Sequence, residues 1–173
     1  MNRIYLVGMP GCGKSTIGKK LAKLLNFNFV DLDEVIESKT GKTISFFFEH
    51  YGEKNFRNIE RDVLHETLNT LNVVIACGGG TAAWFDNMDF MNKNGVTIYL
   101  NASIKLLAKR LSAKKNNRPL LSFVEKQGLE DHLMKIFEKR EPFYLQARIE
   151  QKLPLKNLET LAIKAVEAIS KNK

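Results

Sequence analysis

The sequence predicts an α/β fold in which a parallel β-sheet is covered by helices on both faces. Three observations predict it. Short apolar runs, "IYLV" (4–7), "FNFV" (27–30), "VVIA" (73–76) and "VTIYL" (96–100), alternate with amphipathic stretches at 15–25, 53–71 and 103–111, the order expected of strands joined by crossover helices. The runs lack the strict apolar–polar alternation of half-exposed strands, which points to helices on either side. A glycine-rich segment, "GMPGCGKST" (8–16), follows the first run and opens the first helical stretch.

In chain order, the run 4–7 leads through that segment into the helix "STIGKKLAKLL", and the run 27–30 closes in "FVDLDE". Residues 34–61 then carry two helical patterns, more than a simple crossover requires, and are read as an insertion. The third run ends in "CGGG" (77–80) and the fourth in Asn101. Residues 112–124, "SAKKNNRPLLSFV", are basic, polar and broken by Pro119, the composition of a mobile lid. The later stretch "ARIEQKLPLKNLE" is short and its strand-like part is poor. No repeat, low-complexity tract or linker divides the chain, so 1–173 reads as one domain with two inserted flaps.

Bulk properties narrow the function. A chain of 173 residues can bury roughly 70% of its unfolded surface and needs no staples. Its 44% hydrophobic and 27% charged residues are ordinary for a globular domain. No apolar run approaches the roughly 20 residues of a membrane span, and "IYLVG" is too short for a secretory segment, so a cytoplasmic protein without membrane contact is expected. Cys12 and Cys77 form neither a metal spacing nor a disulfide framework. The histidines His50, His65 and His132 match no ligand spacing. The 27 Lys and Arg against 19 Asp and Glu leave +8, which favours anionic partners. Aromatic–basic interleaving of the kind RNA readers use is missing, so phosphorylated small molecules are expected and nucleic acid is not. No extra apolar stripe is evident, so a monomer is expected.

Residues Gly8 to Thr16 fit G-x-x-x-x-G-K-[ST], in the strand-to-helix context that gives this motif meaning. Glycines let the backbone N–H groups around Gly11, Cys12 and Gly13 turn inward onto phosphate oxygens, beside the positive end of the new helix. Lys14 can reach the β- and γ-phosphates and the Ser15 hydroxyl can ligate Mg²⁺, with Thr16 next in the helix. A GTPase would need Asn-Lys-x-Asp, whereas "NKNG" (92–95) lacks the aspartate. A motor ATPase would end an apolar strand in Asp-Glu, and no run here does. A small-molecule or nucleotide kinase remains.

On the acceptor side, Asp31 and Asp33 alternate across the expected strand end and so project differently. One can hold Mg²⁺ through water and the other can orient an acceptor hydroxyl and take its proton. In "GEKNFRNIE", Arg57 and Glu60 share a helix face, so Glu60 can steady a guanidinium that grips a carboxylate, although a routine surface ion pair is equally consistent with that spacing. Gly78, Gly79 and Gly80 in succession are entropically expensive. They call for a very tight turn or for another molecule close to the backbone.

Six motifs, "GMPGCGKSTIG", "DLD", "FRNIE", "CGGG", "RPLL" (118–121) and "KREPFY" (139–144), occur in this order over about residues 3 to 146. In this the chain resembles the shikimate kinases, members of the nucleoside-monophosphate-kinase-like P-loop enzymes. The resemblance implies a five-stranded parallel sheet of P-loop kinase type, with 34–61 as a substrate-binding subdomain and 112–124 as the lid. It implies ATP-dependent, Mg²⁺-assisted phosphorylation of the 3-hydroxyl of shikimate, on the route to aromatic amino acids. By the same resemblance Asp33 binds the acceptor hydroxyls as base, and Asp31 holds Mg²⁺ through water beside Ser15. Arg57 and Arg140 clamp the shikimate carboxylate. Arg118 stabilises charge on the transferring phosphoryl group, Lys14 acts from the loop and Arg110 lies against the adenine. Gly78 to Gly80 become a wall without side chains, where a substituent at Gly79 would fill the volume the ring needs. Phe48 and Phe56 become an apolar wall, although Phe46-Phe47-Phe48 is equally a core run. The family's last strand and adenine-side loop are poorly matched in the tail, Pro154 included. Cys12 stands where the family more often has Ala or Ser. It and Cys77 read as inert small residues, with the sharper alternative that Lys14 and the loop amides favour the Cys12 thiolate enough to make it reactive. Alternatives are another P-loop small-molecule kinase, for gluconate or a nucleoside monophosphate, or a nucleotide-binding regulator without turnover.

Overall fold

The structure, a computed structural model, describes residues 2–113 and 126–171. Five strands, β1 (Arg3–Val7), β2 (Asn28–Asp31), β3 (Val73–Ala76), β4 (Val96–Asn101) and β5 (Ile149–Lys152), form one sheet in the order β2-β3-β1-β4-β5. Every pairing is parallel. Position in the sheet explains how well each strand reads in the sequence. The central strands β1 and β3 are buried at every residue and, apart from Arg3, appear as unbroken apolar runs. The edge strand β5 alternates half-buried Ile149 and Gln151 with exposed Glu150 and Lys152, and so looked poor. The expectation that this stretch makes a doubtful strand is therefore corrected.

The chain runs from β1 across β3 to the edge strand β2, returns to β3, and then crosses to β4 on the other side of β1. The connections leaving β1 and β3 thus depart in opposite directions, and their carboxyl ends form the crevice where such sheets bind ligands. Those two ends carry the two glycine-rich segments. The strands are in register there, with Leu6 opposite Ala76 and Ala76 opposite Asp31.

Helix α1 (Lys14–Leu25) packs Leu21 and Ala22 into the core. Between β2 and β3 lie three helices, α2 (Leu32–Thr40), α3 (Ile44–His50) and α4 (Gly52–Glu66), where two helical patterns were expected. The breaks are local. Gly41 at φ 64° ends α2, and Thr43 caps α3 by accepting the Phe46 amide. Tyr51 separates α3 from α4, whose first residue, Gly52, takes φ 75°. Helix α4 stops at Glu66 rather than 71, passing into a 3₁₀ turn at Thr67–Asn69. The buried Arg3 side chain donates to the Thr67 and Leu68 carbonyls there, satisfying acceptors that the helix leaves open.

Helices α5 (Asn87–Asn94), α6 (Ile104–Ala113), α7 (Lys126–Tyr144) and α8 (Leu158–Ser170) complete the layers. Ser112 and Ala113, the start of the expected lid, are the last residues of α6. The rest of that segment, with Lys114, Lys115, Arg118 and Pro119 to Leu121, lies outside the described residues. Among the described residues no helix is long and apolar enough to cross a membrane.

Candidate functional site

The loop after β1 adopts its shape through three glycines with positive φ, Gly8 at 139°, Gly11 at 83° and Gly13 at 103°, conformations that side chains strongly disfavour. Gly13 also precedes α1 as an N-cap without a side-chain acceptor, leaving the helix terminus suited to an anion. The buried Lys14 folds back over the loop, with Nζ donating to the carbonyls of Gly8 (2.7 Å) and Met9 (3.1 Å). Thr16 is exposed in the first turn. Arg110 of α6 reaches the same loop and donates from Nη1 to the Cys12 carbonyl at 2.7 Å. The Cys12 side chain is fully buried, so the conditions for a reactive thiol are not met.

Asp31 ends β2 and at once caps α2, accepting the Asp33 amide on Oδ1 at 3.1 Å. Asp33 is consequently in the first turn of a helix, and the expectation that the two aspartates alternate along a strand is corrected. They still do different things. Asp31 Oδ2 accepts from Ser15 Oγ at 2.5 Å, whereas Asp33 faces the loop after β3. Hard oxygen donors joined in this way fit Mg²⁺, which typically takes one or two protein ligands and completes its shell with phosphates and water. Among the described residues no three His, Cys, Asp or Glu gather into a metal cluster.

Helix α4 buries Phe56, Arg57, Glu60, Val63 and Leu64, one face at helical spacing. Arg57 and Glu60 are on the inner face, 5% and 0% exposed, with Nη1 donating to Glu60 Oε2 at 2.7 Å. They are not a surface ion pair. Glu60 Oε1 accepts from Thr81 Oγ1 at 2.6 Å, so both carboxylate oxygens are engaged. Glu53, one turn earlier, accepts from Arg57 Nη2 at 2.9 Å and Nε at 3.2 Å. Burial disfavours the charge on Arg57, but Glu60 and Glu53 outweigh it and hold the guanidinium above the ordinary arginine pKa. The rings of Phe56, Trp84 and Phe48 lie 5.2, 5.6 and 5.7 Å from the guanidinium carbon. The phenylalanine run divides accordingly: Phe47 is core, Phe48 faces Arg57 and Phe46 stacks on His50.

Gly78 to Gly80 have a different reason for being glycine than their neighbours in the phosphate loop. None has positive φ. A Cβ at Gly78 would lie 2.5 Å from Glu60 Oε1 and 3.1 Å from Asp33 Oδ1, one at Gly79 2.6 Å from Pro10 Cγ, and one at Gly80 2.6 Å from Arg57 Cζ. The space is therefore taken by the protein's own groups. In particular, the volume at Gly79 is filled by Pro10 of the phosphate loop, which corrects the expectation that a substituent there would displace the ligand. The Gly79 carbonyl is held from α7 by Arg140 Nη1 (3.1 Å) and the Tyr144 hydroxyl (2.5 Å), one helical turn apart.

The described site thus unites Lys14, Ser15, Asp31, Asp33, Arg57, Glu60, Gly78 to Gly80, Arg110 and Arg140, with Arg118 outside the described residues. Sequence reasoning missed Glu53, Thr81, Trp84 and Tyr144. The i−4 spacing of Glu53 from Arg57 and the hydroxyl directly after the glycines were signals for the first two. Chemically, a loop suited to an anion and carrying a lysine adjoins, through Pro10 and Gly79, a wall bearing the guanidinium groups of Arg57 and Arg140 and the carboxylates of Asp33, Glu53 and Glu60.

A family model for shikimate kinase matches residues 10–169. A shikimate kinase of Parabacteroides distasonis is 46% identical over 149 residues, covering 86% of each chain. The crystal structure of shikimate kinase from Bacteroides thetaiotaomicron superposes with a TM-score of 0.89 at 40% identity, over 98% of both chains. That of shikimate kinase from Acinetobacter baumannii in complex with shikimate gives 0.85 at 38% identity, over 100% of this chain and 95% of that one.

Proposed function

The chain belongs to the shikimate kinase family, and from that footing we propose that it transfers the γ-phosphoryl group of ATP to the 3-hydroxyl of shikimate, giving shikimate 3-phosphate and ADP for aromatic amino-acid biosynthesis. The observation that carries this reading is the buried Arg57–Glu60 pair, seated against Gly78 and Gly80 and one residue from the Gly79–Pro10 contact with the phosphate loop. A carboxylate-gripping group and a phosphate-gripping loop thereby share one wall. Residues 34–61, which supply Arg57 and Glu60, act as the acid-binding subdomain of a single domain.

Phosphoryl transfer asks for position and charge stabilisation more than covalent help. Arg57 and Arg140 hold the shikimate carboxylate and so fix the ring against Gly78 to Gly80. Asp33, with Oδ1 beside Gly78, orients the 3-hydroxyl and accepts its proton as the oxygen attacks phosphorus. The amides of Gly11 and Gly13, with those of Lys14, Ser15 and Thr16, cradle the phosphates, joined by that of Cys12 once it leaves the Met9 carbonyl. Lys14 leaves the Gly8 and Met9 carbonyls to meet the β- and γ-phosphates. Ser15 and Asp31 would hold Mg²⁺, directly and through water, and when bound the ion neutralises phosphate charge. Arg110 places its guanidinium between the loop and the adenine. Arg118 keeps, on the resemblance alone, the task of meeting charge on the transferring group. The chain is taken to work in the cytoplasm as a monomer, on ATP and shikimate only.

Coupled measurement of ADP release tests this reading. Shikimate should stimulate release strongly, and gluconate or nucleoside monophosphates should not. Release that is indifferent to shikimate contradicts the assignment.

A further inference from the structure

The Arg57 guanidinium is more fully occupied than a receptor for an incoming carboxylate needs to be. The rings of Phe56, Trp84 and Phe48 lie close around it, and Nη1 donates to Glu60. Of the two edges a guanidinium can offer, Nε with Nη2 is the one that meets a carboxylate side-on. Glu53 Oε1 occupies it, at 3.2 Å from Nε and 2.9 Å from Nη2.

The two acids differ in how firmly they are held. Glu60 is 0% exposed and fixed on its other oxygen by Thr81. Glu53 is 43% exposed in the first turn of α4, where water and the helix terminus both accommodate a released carboxylate. With two carboxylates against one guanidinium, the cluster is already net negative. An anion that takes the side-on edge therefore has to replace Glu53, because Glu60 is buried and held on both oxygens.

We propose that Glu53 is an internal stand-in for the substrate carboxylate. It holds the Nε–Nη2 edge of Arg57 in the free protein and is displaced when the acid binds. It thereby lowers apparent affinity by the fraction of protein in which the edge is occupied. It also sharpens selectivity, since a neutral polyol brings nothing to exchange for Glu53. This inference rests on the reading that Arg57 grips the acid, and the test separates the two.

Glu53→Gln preserves size and removes charge, and Glu53→Ala removes the acceptor altogether. Calorimetric titration with shikimate and steady-state kinetics should show Kd and KM for shikimate falling about two- to fivefold in both variants, the scale of a half-exposed ion pair. The gain should sit in KM rather than kcat, with the KM for ATP unmoved and the thermal midpoint measured alongside. Shikimate affinity that is unchanged or weakened in the two variants overturns the proposal. So does a gain of the same size when Glu53→Gln is combined with Arg57→Ala, because that would be simple repulsion between Glu53 and the acid. If Arg57→Ala alone leaves shikimate affinity unchanged, the underlying reading of Arg57 fails instead, whatever Glu53 does.

Discussion

Two glycine-rich turns, 8–13 and 78–80, follow neighbouring strands and meet at Pro10 and Gly79, yet they use glycine for opposite reasons. In the first, Gly8, Gly11 and Gly13 take positive φ and the residue is needed for its backbone freedom. In the second, no φ is positive, and the residue is needed for its missing Cβ, which leaves room for Glu60, Pro10 and Arg57. The first is thus a conformational device, set beside a helix terminus suited to an anion. The second is a packing device that lets buried charges lie directly on the backbone. The difference teaches that a glycine run need not announce positive φ, because the close neighbour that excludes a Cβ can be the protein itself.

The contrast is broken most severely at Arg57. Arg57→Ala strands Glu60, which is 0% exposed, and loss of one partner of a buried pair costs about 3–5 kcal/mol. Thermal unfolding should show that loss, and in the folded fraction KM for shikimate should rise strongly while ATP affinity holds. Equal weakening of both ligands would make Arg57 purely structural. Next in size, Gly78→Ala and Gly13→Ala should each cost about 1–3 kcal/mol, the first by overpacking against Glu60 and the second by forcing a side chain into positive φ. Kinetics should separate them, with Gly78→Ala acting on shikimate and Gly13→Ala on ATP. If both fall on the same substrate, the two turns are not independent devices.

The smallest effect is expected at Tyr144. Tyr144→Phe removes one bond to the Gly79 carbonyl, worth about 0.5–1.5 kcal/mol, while Arg140 retains the other. Burial raises the Tyr144 phenol, and Arg140 offsets only part of that rise. A proton held more tightly in the folded state contributes stability below the unfolded value, about pH 10, and loses it as pH rises through the folded value. Chemical denaturation as a function of pH should therefore show wild type falling above about pH 10 and Tyr144→Phe falling less steeply.

How much of this could be read beforehand follows from what is local. The phosphate loop is a contiguous backbone device, so Gly8 to Thr16 spell it out. The central strands are buried on both faces, so "VVIA" declares itself, whereas β5 hides because edge strands alternate. Arg57 and Glu60 were visible as a pair, but their burial depends on α4 turning that face to the glycines, which is tertiary. Asp33 was misplaced because Asp31 caps a helix immediately, and a cap competes with strand continuation over a single residue. Glu53 looked like any first-turn acid. Its partner is fixed by spacing, but its meaning depends on rings contributed by α3 and by the stretch after β3. Tyr144 reaches Gly79 across 65 positions, a relation no local pattern carries.

The joined walls are tested most directly by a crystal structure with shikimate and ADP bound together. The expected result has the shikimate carboxylate on Arg57 and Arg140, Glu53 turned away, the 3-hydroxyl beside Asp33, and the ring over residues 78–80. Shikimate bound elsewhere, with Arg57 still held between Glu53 and Glu60, would contradict the account.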